Sequence, residues 1–224
     1  MDEPEFLRNL EGGVPRLLTG ISWERYLDLC EQMSHRRLRT IYCDNEFEIM
    51  PASFEHERRL CMIDNLFCWF AMRARDPMNS TGSTTFRRPD LQIAMEPDRS
   101  YYLTNCHFVR VDRELDLMRD PPPDLVLEVD IPDRSARRMR VLAGLGVPEL
   151  WRYDGQKLRL YLLLGNGEYI EAERSACCPL FPIVEIHRFV QMQAEMDDGA
   201  VVRRFCEWLE EQCRGGQFAT RAEW

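Results

Sequence analysis

The 224-residue chain is predicted to fold as a single α/β domain in which helices flank a mixed central β-sheet. This prediction depends on three observations. The segment 125–129 is apolar apart from one glutamate, which is typical of a strand buried on both faces of a sheet. A helical pattern of apolar residues covers about 54–75, and strand-like segments follow one another from 149 to 172. A chain of this length can bury one sizeable core.

The N-terminal half carries clear signals for where its elements begin. Ser22 and Ser53 each precede a helical pattern, and serine is a favoured N-cap residue. Asp44-Asn45 is a hairpin signal between two β-prone runs. The predicted elements are helices at 23–33 and 54–75, strands at 38–42, 46–50 and 101–104, and a short β-prone segment at 82–86.

The C-terminal half begins at three prolines, residues 121–123, which end any preceding element. Turn signals at Asp154-Gly155 and at 165–167 separate the strands that follow. The predicted elements are strands at 124–130, 149–153, 157–164 and 168–172, and helices at 134–145, 183–195 and 199–213. We assign residues 1–19 to an N-terminal extension, 20–190 to the domain and 191–224 to a C-terminal helix that packs on the domain or extends from it.

Composition narrows the class of protein. The net charge of −9 argues against a nucleic-acid binder that works through bulk positive charge. Lys157 is the only lysine, so nearly all positive charge is arginine, which suits phosphate contacts and ordinary salt bridges equally well. The nine cysteines form no CxxC pair and are expected to be reduced. The acidic start and the lack of a long apolar run predict a cytoplasmic protein without membrane contact.

Two carboxylates near the buried strand indicate a metal site. Glu128 lies inside the apolar run and Asp130 follows two positions later, so both project from the same face. A buried carboxylate is costly unless it is paired or binds a cation. Two neighbouring carboxylates repel each other unless a proton or a divalent metal lies between them. Two other interpretations remain open, a structural ion pair between Glu128 and an arginine and a helix cap at Asp130.

Six segments of the chain carry a resemblance to a known family. They read, in order, GISWERYL, EIMPASFEHE, GSTTF, EPDRSYY, PPPDLVLEVDI and GVPELWRYDG. In this order they resemble the Uma-type restriction endonucleases, which are bacterial proteins of the PD-(D/E)xK nuclease superfamily. The resemblance covers about residues 20 to 190 and implies a restriction-endonuclease-like topology.

The resemblance implies roles for individual residues. Asp98, in the Pro-Asp of EPD, corresponds to the metal-binding aspartate, and Glu128 corresponds to the second acidic ligand. His56 and Glu57 match the family's His-Glu pair, and Glu57 is expected to reach the metal or its water. The carboxylates of Asp98, Glu128 and Asp130 are hard oxygen ligands that suit Mg²⁺ or Mn²⁺.

The chain departs from the family at the position of a lysine. The superfamily lysine of Glu-x-Lys is replaced by Asp130. In the family a lysine usually appears on the next helix instead, eight residues before the Gly-Val of GVPE, and that position here is Arg138. An arginine can stabilise the charge of the reacting phosphate or position it, but it stays protonated and cannot act as a general base.

We therefore expect a Mg²⁺- or Mn²⁺-dependent endonuclease that hydrolyses DNA phosphodiester bonds. Because two-strand cutting in this superfamily generally needs two sites, a homodimer is expected. One alternative is a nucleic-acid-binding protein on the same fold that has lost cleavage, with Arg138 as its signature. Another is a structural or assembly protein in which the acidic cluster is an ion-pair network.

Overall fold

The computed structural model describes residues 15–33, 38–51, 53–129 and 135–214. The strands are β1 (Arg16–Thr19), β2 (Leu38–Cys43), β3 (Glu46–Pro51), β4 (Asn79–Gly82), β5 (Phe86–Arg88), β6 (Ile93–Met95), β7 (Arg99–Tyr102), β8 (Leu125–Val129), β9 (Glu149–Tyr153), β10 (Leu158–Leu163) and β11 (Tyr169–Ala172). The α-helices are α1 (Trp23–Gln32), α2 (Phe54–Ala74), α3 (Ser135–Leu145), α4 (Ile186–Gln191) and α5 (Asp198–Arg214).

The strands form two sheets. A six-stranded sheet has the order β11-β10-β9-β8-β7-β4, and a five-stranded sheet has the order β1-β3-β2-β6-β5. In the larger sheet β8 and β9 are parallel and are connected through α3, whereas the other pairs are antiparallel. The predicted α/β class with a mixed sheet is confirmed. The hairpin strands do not extend that sheet, because they pair with the short strands β1 and β6 in a second one.

The hairpin of β2 and β3 turns at the residues that the sequence indicates. Asp44 and Asn45 have φ angles of 54° and 57°, and a two-residue turn with both angles positive matches the twist of the strands it joins. Asparagine and aspartate tolerate this left-handed conformation better than other residues with a side chain. The turn thereby fixes the register in which Thr40 faces Ile49.

The larger sheet is covered on both faces. Leu125, Leu127 and Val129 of β8 belong to the core formed with α2, α4 and α5. Val126, whose side chain alternates to the other face, belongs to the core formed with α3 and the five-stranded sheet. Glu128 shares the parity of Val126, and it therefore faces α3 and the smaller sheet.

Helix α3 packs closely against the smaller sheet. A Cβ atom added at Gly144 would lie 2.7 Å from Cδ1 of Ile93 in β6, so glycine permits this approach. Val141, Leu142 and Leu145 of the same helix are buried. This packing directs Arg138, which lies nearer the start of α3, toward the space between the two sheets.

Some elements of the structure differ in extent from those predicted from the sequence. The segment 82–86 spans the end of β4 at Gly82 and the start of β5 at Phe86, because a short turn separates the two strands. The helix predicted at 183–195 is α4 flanked by two 3₁₀ turns, at Ile183–Glu185 and Met192–Ala194. Throughout the described ranges, no helix is both long and apolar enough to cross a bilayer.

Candidate active site

Asp98 and Glu128 meet at the edge where β7 and β8 approach α3. Asp98 directly precedes β7 and lies across from Glu128, whose partner on β9 is Arg152, so the three residues form a row across the sheet. The Asp98 amide donates to Oε1 of Glu128 at 3.1 Å, and the Val129 amide donates to Oδ2 of Asp98 at 2.8 Å. Ligands of sheets with parallel strands commonly bind outside the carboxyl ends of those strands, where Glu128 and Arg152 lie.

The two carboxylates are almost fully buried and are surrounded by cationic side chains. Asp98 is 0% exposed and Glu128 is 1% exposed. Nε2 of His56 lies 2.9 Å from Oδ2 of Asp98, and Nε of Arg39 donates to Oδ1 of the same carboxylate at 3.3 Å. Arg138 forms an ion pair with Oε2 of Glu128. Since buried carboxylates are costly without partners, this arrangement satisfies both of them.

The start of α2 presents His56 to the site. Ser53 caps this helix by accepting a hydrogen bond from the His56 amide, and Glu57 follows in the first turn. Burial lowers the pKa of His56, but its hydrogen bond to Asp98 and the charges of Asp98 and Glu57 raise the pKa above its ordinary value. The imidazole therefore keeps its proton to a higher pH than a free histidine side chain does.

Asp98 is stabilised as a carboxylate. Burial raises the pKa of Asp98, but the hydrogen bond from His56 and the positive charges of Arg138 and His56 together hold the pKa below its ordinary value. The hydrogen bond from the Val129 amide acts in the same direction. Asp98 is therefore favoured as an ionised, acceptor-only group, and both of its oxygens have protein partners.

Arg138 is held deep in the site. Its guanidinium contacts Sδ of Met50 at 3.0 Å, and the side chain is only 7% exposed. Burial lowers the pKa of Arg138 below its ordinary value, although the negative charges of Asp98 and Glu48 act in the opposite direction. A guanidinium is so basic that it keeps its charge under these conditions.

Arg39 and Glu96 belong to the site although no sequence pattern selected them. Nη2 of Arg39 lies 3.4 Å from Oε1 of Glu57, and Nη1 lies 3.8 Å from Oε1 of Glu96. Burial raises the pKa of Glu96 to about 7, against the lowering effect of Arg39. The available signals were the position of Arg39 on the predicted hairpin and of Glu96 within the EPD motif.

The structure brings together five of the predicted site residues, His56, Glu57, Asp98, Glu128 and Arg138. Asp130 lies outside the described residues, so its place at the site stays a prediction. Glu48 is buried, and its charge acts on Arg138. Asp90, which also follows a proline, lies in an exposed turn and pairs with Arg88 at 2.7 Å.

The site offers a divalent metal a small set of protein ligands. Within residues 15–33, 38–51, 53–129 and 135–214, no three histidine, cysteine, aspartate or glutamate side chains are grouped so that they could hold a metal ion. Mg²⁺ commonly takes only one or two carboxylates from a protein and completes its shell with water and phosphate oxygens. Asp98 and Glu128 supply such a pair of hard ligands, and the residues present fit Mg²⁺ or Mn²⁺ on these terms.

Comparisons with known proteins agree with the sequence resemblance. A family model described as "Putative restriction endonuclease", named Uma2, matches residues 23–182. The crystal structure of a putative nuclease of the DUF820 family from Anabaena variabilis matches with a TM-score of 0.50 and 14% identity, over 83% of this chain and 99% of that chain. At this identity the likeness supports the fold alone, and no curated protein matches the chain. Because the family match spans well over half of the residues, the chain belongs to the Uma2 family of putative restriction endonucleases.

Proposed function

We propose that the chain is a metal-dependent endonuclease that hydrolyses DNA phosphodiester bonds at Asp98 and Glu128. One observation carries the proposal. Two ionisable carboxylates, 0% and 1% exposed, lie side by side at the strand ends, with the amide of one residue bound to the carboxylate of the other. Two like charges repel each other in a protein interior even when cations accompany them, so this arrangement favours a binding role.

The residues of the chain divide the work. Asp98 and Glu128 would hold Mg²⁺ or Mn²⁺, with Asp130 as a further predicted ligand. A divalent metal supplies a bound water of lowered pKa and neutralises charge on the phosphate. His56 orients Asp98 through their 2.9 Å contact. Arg39 holds the other oxygen of Asp98 and links it to Glu57.

Arg138 has a distinct place in this proposal. Its forked guanidinium can bind two phosphate oxygens at once and stabilise the negative charge that develops there. It cannot accept the proton of the attacking water, so that proton passes to solvent or to a neighbouring carboxylate such as Glu57. We further propose that the protein works as a homodimer, since cutting both strands needs two sites. We also propose that it acts in the cytoplasm.

The test is cleavage of supercoiled plasmid with Mg²⁺ and with Mn²⁺. Wild type should nick and linearise the plasmid only with metal, and Asp98→Asn should abolish both products. Single-stranded and branched DNA are assayed as further substrates under the same conditions. Metal-independent cutting, or an Asp98→Asn variant as active as wild type, would contradict the assignment.

A second candidate is a nucleic-acid-binding protein without cleavage. The ion pair between Arg138 and Glu128 favours it, because a guanidinium occupies the carboxylate that the family uses for metal. Arg138→Lys restores the family's residue type and separates the two candidates. If wild type is inactive and Arg138→Lys gains cleavage, the second candidate, a binding protein that has lost its activity, is favoured. If wild type already cleaves DNA, the second candidate is excluded.

A further inference from the structure

The two buried carboxylates of the site are fully partnered by groups of the protein itself. Glu128 uses Oε1 to accept from the Asp98 amide and Oε2 to pair with Arg138. Asp98 uses both oxygens to contact His56, Arg39 and the Val129 amide. Each of the four carboxylate oxygens therefore has a protein partner, and two of those partners are the guanidiniums of Arg39 and Arg138.

Arg138 and a divalent metal have the same target. The side chains of Arg138 and Glu128 are 7% and 1% exposed, so water does not screen their attraction effectively. Oε1 of Glu128 is already taken by a backbone amide, which leaves Oε2 as the oxygen that a metal would approach. Because a metal ion and a guanidinium repel each other strongly at this buried position, a metal that binds Oε2 displaces the guanidinium from it.

Two further residues near Arg138, Arg152 and Met50, bear on whether its guanidinium can leave Glu128. Arg152 is the register partner of Glu128 on β9, so its side chain leaves the sheet on the same face as the carboxylate that Arg138 pairs with. The hydrogen bond that Nη2 of Arg138 donates to Sδ of Met50 restrains it only weakly, because a thioether sulfur is a weak acceptor. A phosphate placed between these cations would attract Arg138 away from Glu128.

We propose that Arg138 is a built-in counter-cation that competes with the divalent metal for Glu128 and is released toward a substrate phosphate when the metal binds. This inference rests on the proposed nuclease function, because it assumes that Asp98 and Glu128 are the metal ligands. It makes the free protein a weak metal binder, and it makes metal and DNA phosphate strengthen each other's binding.

The experiment measures Mn²⁺ binding directly, by calorimetric titration and by the shift in melting temperature, without reference to cleavage. The variants are Arg138→Gln and the matched control Arg137→Gln, which removes the preceding arginine of α3, a residue that pairs with Glu46 instead. Removing the competing charge should tighten Mn²⁺ binding of Arg138→Gln at least about tenfold, a change of about 1.4 kcal/mol. Arg137→Gln should keep the affinity of wild type.

Loss of Arg138 also leaves a buried carboxylate without its cation, which is strongly destabilising. The melting temperature of Arg138→Gln should therefore be low without metal and should rise with Mn²⁺ by more than that of wild type. If this variant folds neither with nor without Mn²⁺, Arg138→Lys decides the question. Lysine keeps a positive charge but cannot form the forked contact of a guanidinium, so it should compete less and bind Mn²⁺ more tightly than wild type. A Kd for Arg138→Lys equal to that of wild type would then overturn the inference.

Two negative results have different meanings. If wild type and Arg138→Gln bind Mn²⁺ equally and Asp98→Asn removes that binding, the metal site stands and the competition is refuted. If neither binds Mn²⁺, with or without a short DNA duplex, the proposed metal-dependent function fails together with the inference. Tighter Mn²⁺ binding by wild type when a duplex that it does not cut is added would support the release of Arg138 toward phosphate.

Discussion

Strands β8 and β9 each carry a glutamate that is 1% exposed, yet the two carboxylates are held in different ways. Glu149, at the start of β9, accepts hydrogen bonds from the Trp151 indole and from the amides of Ala176 and Cys177. Glu128, near the end of β8, accepts one amide and pairs with Arg138, and a second carboxylate lies beside it. Neutral donors hold the first glutamate, whereas a backbone amide and a cationic side chain hold the second.

This difference indicates how the two roles are divided. The donors to Glu149 belong to the backbone and to a core tryptophan, so they cannot leave without unfolding the segment 176–178. The cationic partner of Glu128 is the end of a long side chain, and no backbone group of Arg138 takes part in the contact. Burial alone therefore does not identify a functional carboxylate, and the nature of its partners is the better criterion.

The largest expected effect separates the two glutamates by activity. Glu128→Gln should lower metal-dependent plasmid cleavage at least about 100-fold, because metal stabilisation of the reacting phosphate is worth several kcal/mol and about 3 kcal/mol corresponds to that factor. Initial rates of nicking in Mn²⁺ provide the measurement. Glu149→Gln, assayed below its melting temperature, should cleave at the wild-type rate, and an equal loss in both variants would remove the distinction.

The next effect concerns stability. Glu149→Gln should lower the free energy of unfolding by about 2 kcal/mol, because the amide group that replaces one oxygen cannot accept a hydrogen bond from a buried donor. Urea unfolding followed by tryptophan fluorescence measures this change. An unchanged midpoint would show that the three donors contribute nothing to the fold.

A third carboxylate extends the comparison to pH. Burial raises the pKa of Asp154, but the amides of Lys157 and Gln156 and the charge of Arg159 lower it below its ordinary value. A lowered pKa means that the ionised group stabilises the fold above about pH 4, and that this contribution is lost as the pH falls through the folded-state pKa. Asp154→Asn should cost about 1 to 2 kcal/mol at pH 7.

The pH series supplies the check for Asp154. Melting temperatures of wild type and Asp154→Asn, measured from pH 7 down to pH 3, should converge as the wild-type carboxylate becomes protonated. A difference that stays constant over this range would show that charge has no part in the contribution of Asp154.

The smallest expected effect tests the support behind the site. Ser53→Ala removes the cap of α2 and should cost about 1 kcal/mol. It should also lower cleavage a few-fold, because His56 lies in the turn that this cap orders. Ser22→Ala, which removes a similar cap from α1, is the control and should lower the melting temperature without changing cleavage. Equal cleavage rates in the two variants would show that the cap does not position His56.

Local patterns were sufficient for several parts of the fold. The helix predicted at 54–75 is α2 at Phe54–Ala74, because its apolar stripe is long and its cap is a serine. The hairpin was predictable from Asp44 and Asn45, whose positive φ angles few other residues adopt. The division into two sheets was not, since β5 and β6 have only three residues each and cannot show an alternating pattern.

The site was predictable only in part. The resemblance pointed to Asp98 and Glu128, and the strand pairing brings them together. Arg39 reaches Asp98 across 59 positions of the sequence, and no local periodicity records such a contact, because it arises when the two sheets pack. An ion pair of Glu128 with an arginine was one of the open interpretations, and the sequence did not show that the arginine would be Arg138, because residues 131–134 give no sign of how α3 is oriented on the sheet.

The row formed by Asp98, Glu128 and Arg152 depends on strand register, and this dependence sets what kinds of sequence change the site can tolerate. Side chains alternate along a strand, so the deletion of one residue within β8 would turn Glu128 toward α2. An apolar neighbour would then take its place on the face toward α3. A substitution alters one group of the row, whereas an insertion or deletion removes the row as a whole. Length variation among natural variants should therefore be confined to the loops and be absent from β7, β8 and β9.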